Sequence, residues 1–179
     1  MKATGIVRRI DDLGRVVIPK EIRRTMRIRE GDPLEIYTER DGEVIFKKYS
    51  PMGELSVFAG QICDSLFKTT GALVAICDRD SIIAAAGGAR KELMDKAISQ
   101  RLEEIMEKRG VFRAEYRVAQ PVCEGVEEYC ISVAAPILTA GDVLGCVVFS
   151  AVKDSAPHGD TESKLAQAVA TFLGKAMEE

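Results

Sequence analysis

Thr4-Gly5-Ile6-Val7-Arg8-Arg9-Ile10-Asp11-Asp12-Leu13-Gly14-Arg15-Val16-Val17-Ile18-Pro19 alternates at strand period on either side of a Leu13-Gly14 turn. Two short strands, Thr4 to Ile10 and Arg15 to Ile18, are therefore expected, both rich in β-branched residues. The next stretch, Pro19-Lys20-Glu21-Ile22-Arg23-Arg24-Thr25-Met26-Arg27, predicts a short helix, with Pro in its first turn and Ile22 and Met26 four apart on a buried face. Beyond Gly31-Asp32-Pro33, Leu34 to Tyr37 and Val44 to Phe46 flank Asp41-Gly42, a dipeptide suited to the two positive-φ positions of a tight hairpin turn.

Charge singles out this end of the chain. Lys2 to Arg29 holds nine Lys and Arg against three acids, a local +6 in a chain of net −3. Residues 30–50 add three basic and six acidic residues, and residues 51–179 add thirteen and nineteen. A basic surplus confined to one end of an acidic protein points to a polyanionic partner, because phosphate neutralisation with counterion release dominates nucleic-acid affinity. Within the helix, Lys20, Arg23, Arg24 and Arg27 crowd one another at spacings of three and four. Each such like-charge pair costs roughly 0.2–0.5 kcal/mol in an isolated helix. An anion lying against the helix relieves that repulsion, and the planar arginine fork suits phosphates and guanine edges.

These residues resemble the AbrB-like family of swapped-hairpin DNA-binding domains, over a long and nearly gapless match. The resemblance implies that two chains interleave their hairpins into one small β-barrel that binds double-stranded DNA. The family's four DNA-contacting arginines fall on Arg8, Arg15, Arg23 and Arg24. Arg9 and Lys20 stand beside them in the basic cluster and complete the candidate DNA-binding set. An obligate dimer also follows from size, since some 50 residues with few large apolar side chains bury too little surface to fold alone.

A domain boundary is expected near Ser50-Pro51-Met52-Gly53, giving residues 1–50 and 51–179. Leu55, Phe58, Ala59, Ile62, Cys63, Leu66 and Phe67 repeat at helical spacing, and Gly71 ends that helix. Leu73 to Cys77 and Ile82 to Ala86 read as a strand hairpin. A second helix is expected from Leu93 to Met106, with Ala97, Ile98 and Leu102 on its apolar face. Further strands are expected in Val111 to Val118, Tyr129 to Leu138 and Val143 to Val152, with Thr139-Ala140-Gly141-Asp142 as a hairpin loop. A last helix carries Leu165, Val169, Phe172, Leu173 and Ala176, N-capped by Asp160 or Thr161. The fold class is α+β: the barrel above, then an antiparallel sheet with packed helices.

The Pro136-Ile137-Leu138 and Val143-Leu144-Gly145-Cys146-Val147-Val148-Phe149 strand pair resembles the closing strands of GAF domains. Together the two domains resemble two-domain regulators of sporulation genes in endospore-forming bacteria, acting as activators or repressors. A GAF-like domain implies assembly, and the terminal helices of such domains pair across dimers. With the N-terminal dimer, that gives a dimer of dimers. The domain also leaves room for an unidentified small-molecule ligand.

The competing classes are a GAF-type thiol enzyme and an antitoxin-like DNA-binding autoregulator. Cys63, Cys77, Cys123, Cys130 and Cys146 lack metal spacing and sit among apolar neighbours, so reduced, mostly buried thiols are expected. Glu124, Glu127 and Glu128, between Cys123 and Cys130, would raise a thiol pKa rather than activate it. An antitoxin would need an extended acidic tail, where residues 51–179 read as folded. His158 is the sole histidine and is expected to be isolated and exposed in the loop before the last helix. No catalytic residue, metal or cofactor is expected. Without a signal-peptide h-region or a membrane-length apolar run, the expected location is the cytoplasm.

Overall fold

The computed structural model describes residues 5–178 and divides into two compact units, Met1–Tyr49 and Ser50–Glu179. In the first, residues 15–19 and 5–10 form neither strand nor helix, and Thr4 lies outside the described residues. The two expected strands are therefore absent from the single chain. A strand is held by hydrogen bonds to a neighbour, and the sequence around these segments supplies a turn rather than a sheet to pair with. That turn is where it was expected. Asp11 N donates to Arg15 O at 3.1 Å and Gly14 N to Asp11 O at 3.0 Å, with Gly14 at φ +76°.

After the turn comes α1 (Lys20–Thr25), then β1 (Leu34–Thr38) and β2 (Val44–Lys48), antiparallel from Leu34↔Lys48 to Thr38↔Val44. The hairpin loop differs from expectation. Gly42 is at φ +82° while Asp41 keeps a negative φ, and Glu39 N donates to Glu43 O at 3.0 Å. This is a three-residue loop with glycine in its left-handed last position, the same architecture as Asp11–Arg15. The expected barrel is not closed either, because one chain contributes only this hairpin, a helix and an arm. Nor does α1 have a buried face: Ile22 is half-buried and Met26 is 55% exposed.

The second unit opens where Ser50 caps α2 (Pro51–Glu54), its side chain accepting from Gly53 N. Helix α3 (Ser56–Thr70) ends at Gly71, φ +71°, as expected. The hairpin β3 (Leu73–Cys77) and β4 (Ile82–Ala86) follows. The expected single helix is broken into α4 (Arg90–Leu93) and α5 (Gln100–Glu107). Between them residues 94–95 turn, with Asp95 at φ +59°, and Ala97 and Ile98 bridge to Ser81 and Cys123. Those bridges satisfy backbone groups that a helix would have paired internally. Ser99 then restarts the helix by accepting from Leu102 N at 3.2 Å.

Only Phe112–Arg113 of the expected third strand forms, as β5, and a strand the sequence did not suggest, β6 (Pro121–Cys123), pairs with β7 (Val126–Thr139). Strands β7 (Val126–Thr139) and β8 (Asp142–Val152) meet at the expected hairpin, where Ala140 and Gly141 both have positive φ. Helix α6 (Asp160–Ala176) is N-capped by Gly159, one residue before the expected cap. The sheet runs β4-β3-β8-β7-β5, all antiparallel.

Alternation along the strands feeds two cores. Val74, Ile76, Val133, Ala135, Val147 and Phe149 pack under α3 and α6. Ala75, Cys77, Ala134, Cys146 and Val148 pack under α4 and α5 through Leu93, Leu102 and Ile105. Two glycines permit the close approaches: a Cβ at Gly145 would lie 2.0 Å from Cys77 O, and one at Gly174 2.2 Å from Leu138 O. Among the described residues no helix is long and apolar enough to cross a membrane.

Candidate nucleic-acid interface

The candidate residues occupy three places in the first unit. Arg8 and Arg9 lie exposed on the arm, Arg15 closes the Asp11–Arg15 turn, and Lys20, Arg23 and Arg24 line α1.

Asp11 organises the turn. Its Oδ1 accepts from Leu13 N at 3.0 Å and from Arg15 N at 2.8 Å, and its Oδ2 accepts from Arg15 Nε at 2.8 Å. The Arg15 backbone N–H and then its guanidinium hold the Asp11 carboxyl below the usual carboxylate range. The Arg15 side chain nevertheless remains 70% exposed. An aspartate three residues before a glycine is a type I turn signal, which a count of charges does not register.

Pro19 stands at the N-cap of α1 with φ −56°, where its missing N–H gives up no hydrogen bond. Lys20, Arg23 and Arg24 are exposed, and among the described residues none of the three is in an ion pair. Arg23 and Arg24 lie in the last turn, where the helix dipole favours cations. The exit is fixed from outside the helix. Arg27 is left-handed at φ +51°, and Ile28 N donates back to Arg23 O at 2.8 Å. Lys48 Nζ, from β2, donates to Arg27 O at 2.8 Å and lies 3.5 Å from Asp32 Oδ2. Asp32 Oδ2 also accepts from Arg29 N at 2.8 Å. No local sequence pattern marks this Asp32–Lys48 clasp, because its members are sixteen residues apart.

In the second unit all five cysteines are free and buried. Burial pushes the Cys63 thiol up to about 12 and Cys123 to about 11. It raises Cys77, Cys130 and Cys146 as well. Glu127 is a minor contributor at Cys130, behind burial and an opposing Lys153, and at Cys123 burial is opposed by Lys96. The expected direction holds with a different main cause. Thiols kept protonated at neutral pH make poor nucleophiles.

His158 does sit before the last helix, but it is half-buried and partnered. Its N–H donates to Ser132 Oγ at 2.6 Å, its Nε2 lies 3.1 Å from Ser150 O, and its ring stands edge-on to Phe149. An open groove of about 470 Å³ passes beside it, lined by Arg113, Ala114, Glu115, Pro157, His158 and Gly159. Arg113 pairs with Asp160 at its rim.

Residues 54–178 match the family model of the C-terminal domain of stage V sporulation protein T, described as a transcription factor. Residues 7–53 match that of the antidote-toxin recognition protein MazE, a bacterial antitoxin. The chain is 51% identical to stage V sporulation protein T of Bacillus subtilis, over the whole of both proteins. It is 52% identical over 71 residues to the transition state regulatory protein AbrB of the same organism, covering 40% of this chain and 72% of that protein. Among solved structures, the GAF domain of a phosphoenolpyruvate-protein phosphotransferase from Coxiella burnetii covers 68% of this chain and 80% of its own, at 17% identity and a TM-score of 0.50. The second unit thus has a GAF fold. The antitoxin match stops where that folded unit begins, so the antitoxin-like alternative is not favoured.

Proposed function

The chain belongs to the stage V sporulation protein T family, and on that premise we propose that it regulates transcription of sporulation genes by binding double-stranded DNA through its first unit. The observation that carries this reading is α1, a two-turn helix whose Lys20, Arg23 and Arg24 stand exposed without carboxylate partners among the described residues. The DNA-binding residues are Arg8, Arg9, Arg15, Lys20, Arg23 and Arg24.

Two chains complete the first unit. Among described residues 5–49 only Pro19 is buried, while Val7, Ile10, Leu13, Val17 and Ile36 are each more than 60% exposed. A second copy is the partner that covers such a face without exposing another. The GAF-like unit joins these dimers into a dimer of dimers, acts in the cytoplasm and is open to a small-molecule ligand. Linking two DNA-binding dimers raises the effective concentration of one when the other is bound.

Gel shifts with the full chain test the reading. Alanine at Arg23 or Arg24 is expected to weaken binding while circular dichroism stays at wild type. With about 6 to 10 phosphate contacts, log affinity should fall by about 0.9 per contact for each unit of log salt. Parental affinity in all the arginine variants, or a flat salt response, would remove the assigned surface. Deleting residues 51–179 should weaken binding more on two-site DNA than on one-site DNA.

A further inference from the structure

The six candidate residues differ in electrostatic setting. Helix α1 carries Lys20, Arg23 and Arg24 against Glu21, a local +2, while the turn carries Arg15 against Asp11 and Asp12, a local −1. A phosphate approaching α1 meets uncompensated cations. One approaching the turn meets a carboxylate whose Oδ2 is 2.8 Å from the very guanidinium it would bind. Neutral acceptors on a base edge suffer far less from a neighbouring carboxylate than an anionic phosphate does.

The geometry of the pair adds a second, independent argument. Asp11 is itself held by the two backbone N–H groups that its Oδ1 accepts, Leu13 N and Arg15 N. Its other oxygen takes Arg15 Nε, so the carboxylate restrains the guanidinium through its Nε edge. With Nε engaged, the far edge of the fork keeps its parallel pair of Nη N–H donors, and the side chain is 70% exposed. That donor pair matches the O6 and N7 acceptors on the major-groove edge of guanine. Restraining that edge beforehand also reduces the rotamer freedom that binding would otherwise have to freeze.

We propose that Arg15 reads a guanine edge and that Asp11 is its positioning residue, whereas the α1 cations take phosphates. The assignment rests on the DNA-binding reading above and divides its labour: α1 supplies affinity for any duplex, and the turn supplies preference among sequences.

The test uses the full chain and a duplex selected by it from a random pool. Replacing guanines one at a time by 7-deazaguanine removes the N7 acceptor and leaves every phosphate in place. At least one position is expected to weaken wild-type binding about tenfold, the scale of a lost bidentate base contact. Asp11→Asn keeps an Oδ1 acceptor for the two turn N–H groups while removing the charge. It should cut that penalty to below about threefold and shrink the preference for the selected duplex over random DNA, with a salt slope within about one phosphate contact of wild type. Arg15→Lys keeps the charge and loses the fork, and it should lose the same preference. Tolerance of 7-deazaguanine at every position would overturn the assignment. So would an Asp11→Asn chain that binds all DNA more tightly with a steeper salt slope, or an Arg15→Lys chain that keeps full preference, since both describe a phosphate contact. Failure to select any duplex would overturn the DNA-binding reading itself.

Discussion

Val, Ile and Leu supply 13 of residues 5–49 and 29 of residues 50–178, so the first unit is no poorer in branched aliphatic side chains, yet one chain buries them in only the second unit. In the second unit Phe149, Ile76, Leu102, Ile137 and Leu173 are wholly or almost wholly buried, on both faces of a sheet roofed by helices. In the first, Ile6, Ile10, Leu13, Val16, Val17, Ile36 and Phe46 are each more than 40% exposed. The hydrophobic effect is proportional to apolar area removed from water, so the second unit contains its own driving force. The first must draw most of it from another molecule. The same openness that leaves it without a core leaves its cations accessible.

Four substitutions or titrations sharpen this contrast, from the largest expected effect to the smallest. Phe149→Ala in the second unit should cost about 3–5 kcal/mol, enough to unfold that unit in a urea titration; a loss under about 1 kcal/mol would deny that the unit is self-sufficient. Ile36→Ala, at a position 61% exposed in one chain, should cost about 2 kcal/mol or more if a second copy covers it, and within about 0.5 if nothing does. The larger value is expected, together with a loss of dimer by sedimentation. Gly145→Ala forces a Cβ onto Cys77 O and should cost about 1–3 kcal/mol, lowering the melting temperature of the second unit alone.

The titration concerns Cys63, whose thiol burial raises from 9.0 to about 12. The native state holds this proton more tightly than the unfolded chain does. Its contribution is therefore complete below about pH 9 and is lost as pH rises from there toward 12. At pH 10 the loss should be about 1 kcal/mol. Cys63→Ala should flatten the decline of the second unit's melting temperature between pH 9 and 10; an equal decline in both proteins would deny Cys63 this role.

Legibility in the sequence followed the same division. Periodicity located α3, α6, the β3–β4 hairpin and the β7–β8 hairpin, because each has an apolar face matched by a surface in the same chain. It failed over residues 94–99, where Met94, Ala97 and Ile98 keep helical spacing but the backbone bridges to Ser81 and Cys123. Tertiary pairing outweighed a local pattern there. It failed differently at residues 5–10 and 15–19, whose strand pattern has no ladder within one chain. The candidate cations were visible as a charge cluster. What orients them was not: Asp11 acts on Arg15 through turn geometry, and Lys48 reaches Arg27 O and Asp32 across twenty-one and sixteen residues.

Sedimentation equilibrium of residues 1–50, with thermal melts over a hundredfold range of concentration, tests the contrast most directly. A mass of two chains and a melting temperature that rises with concentration are predicted. A folded monomer at micromolar concentration, melting at a temperature independent of dilution, would contradict it.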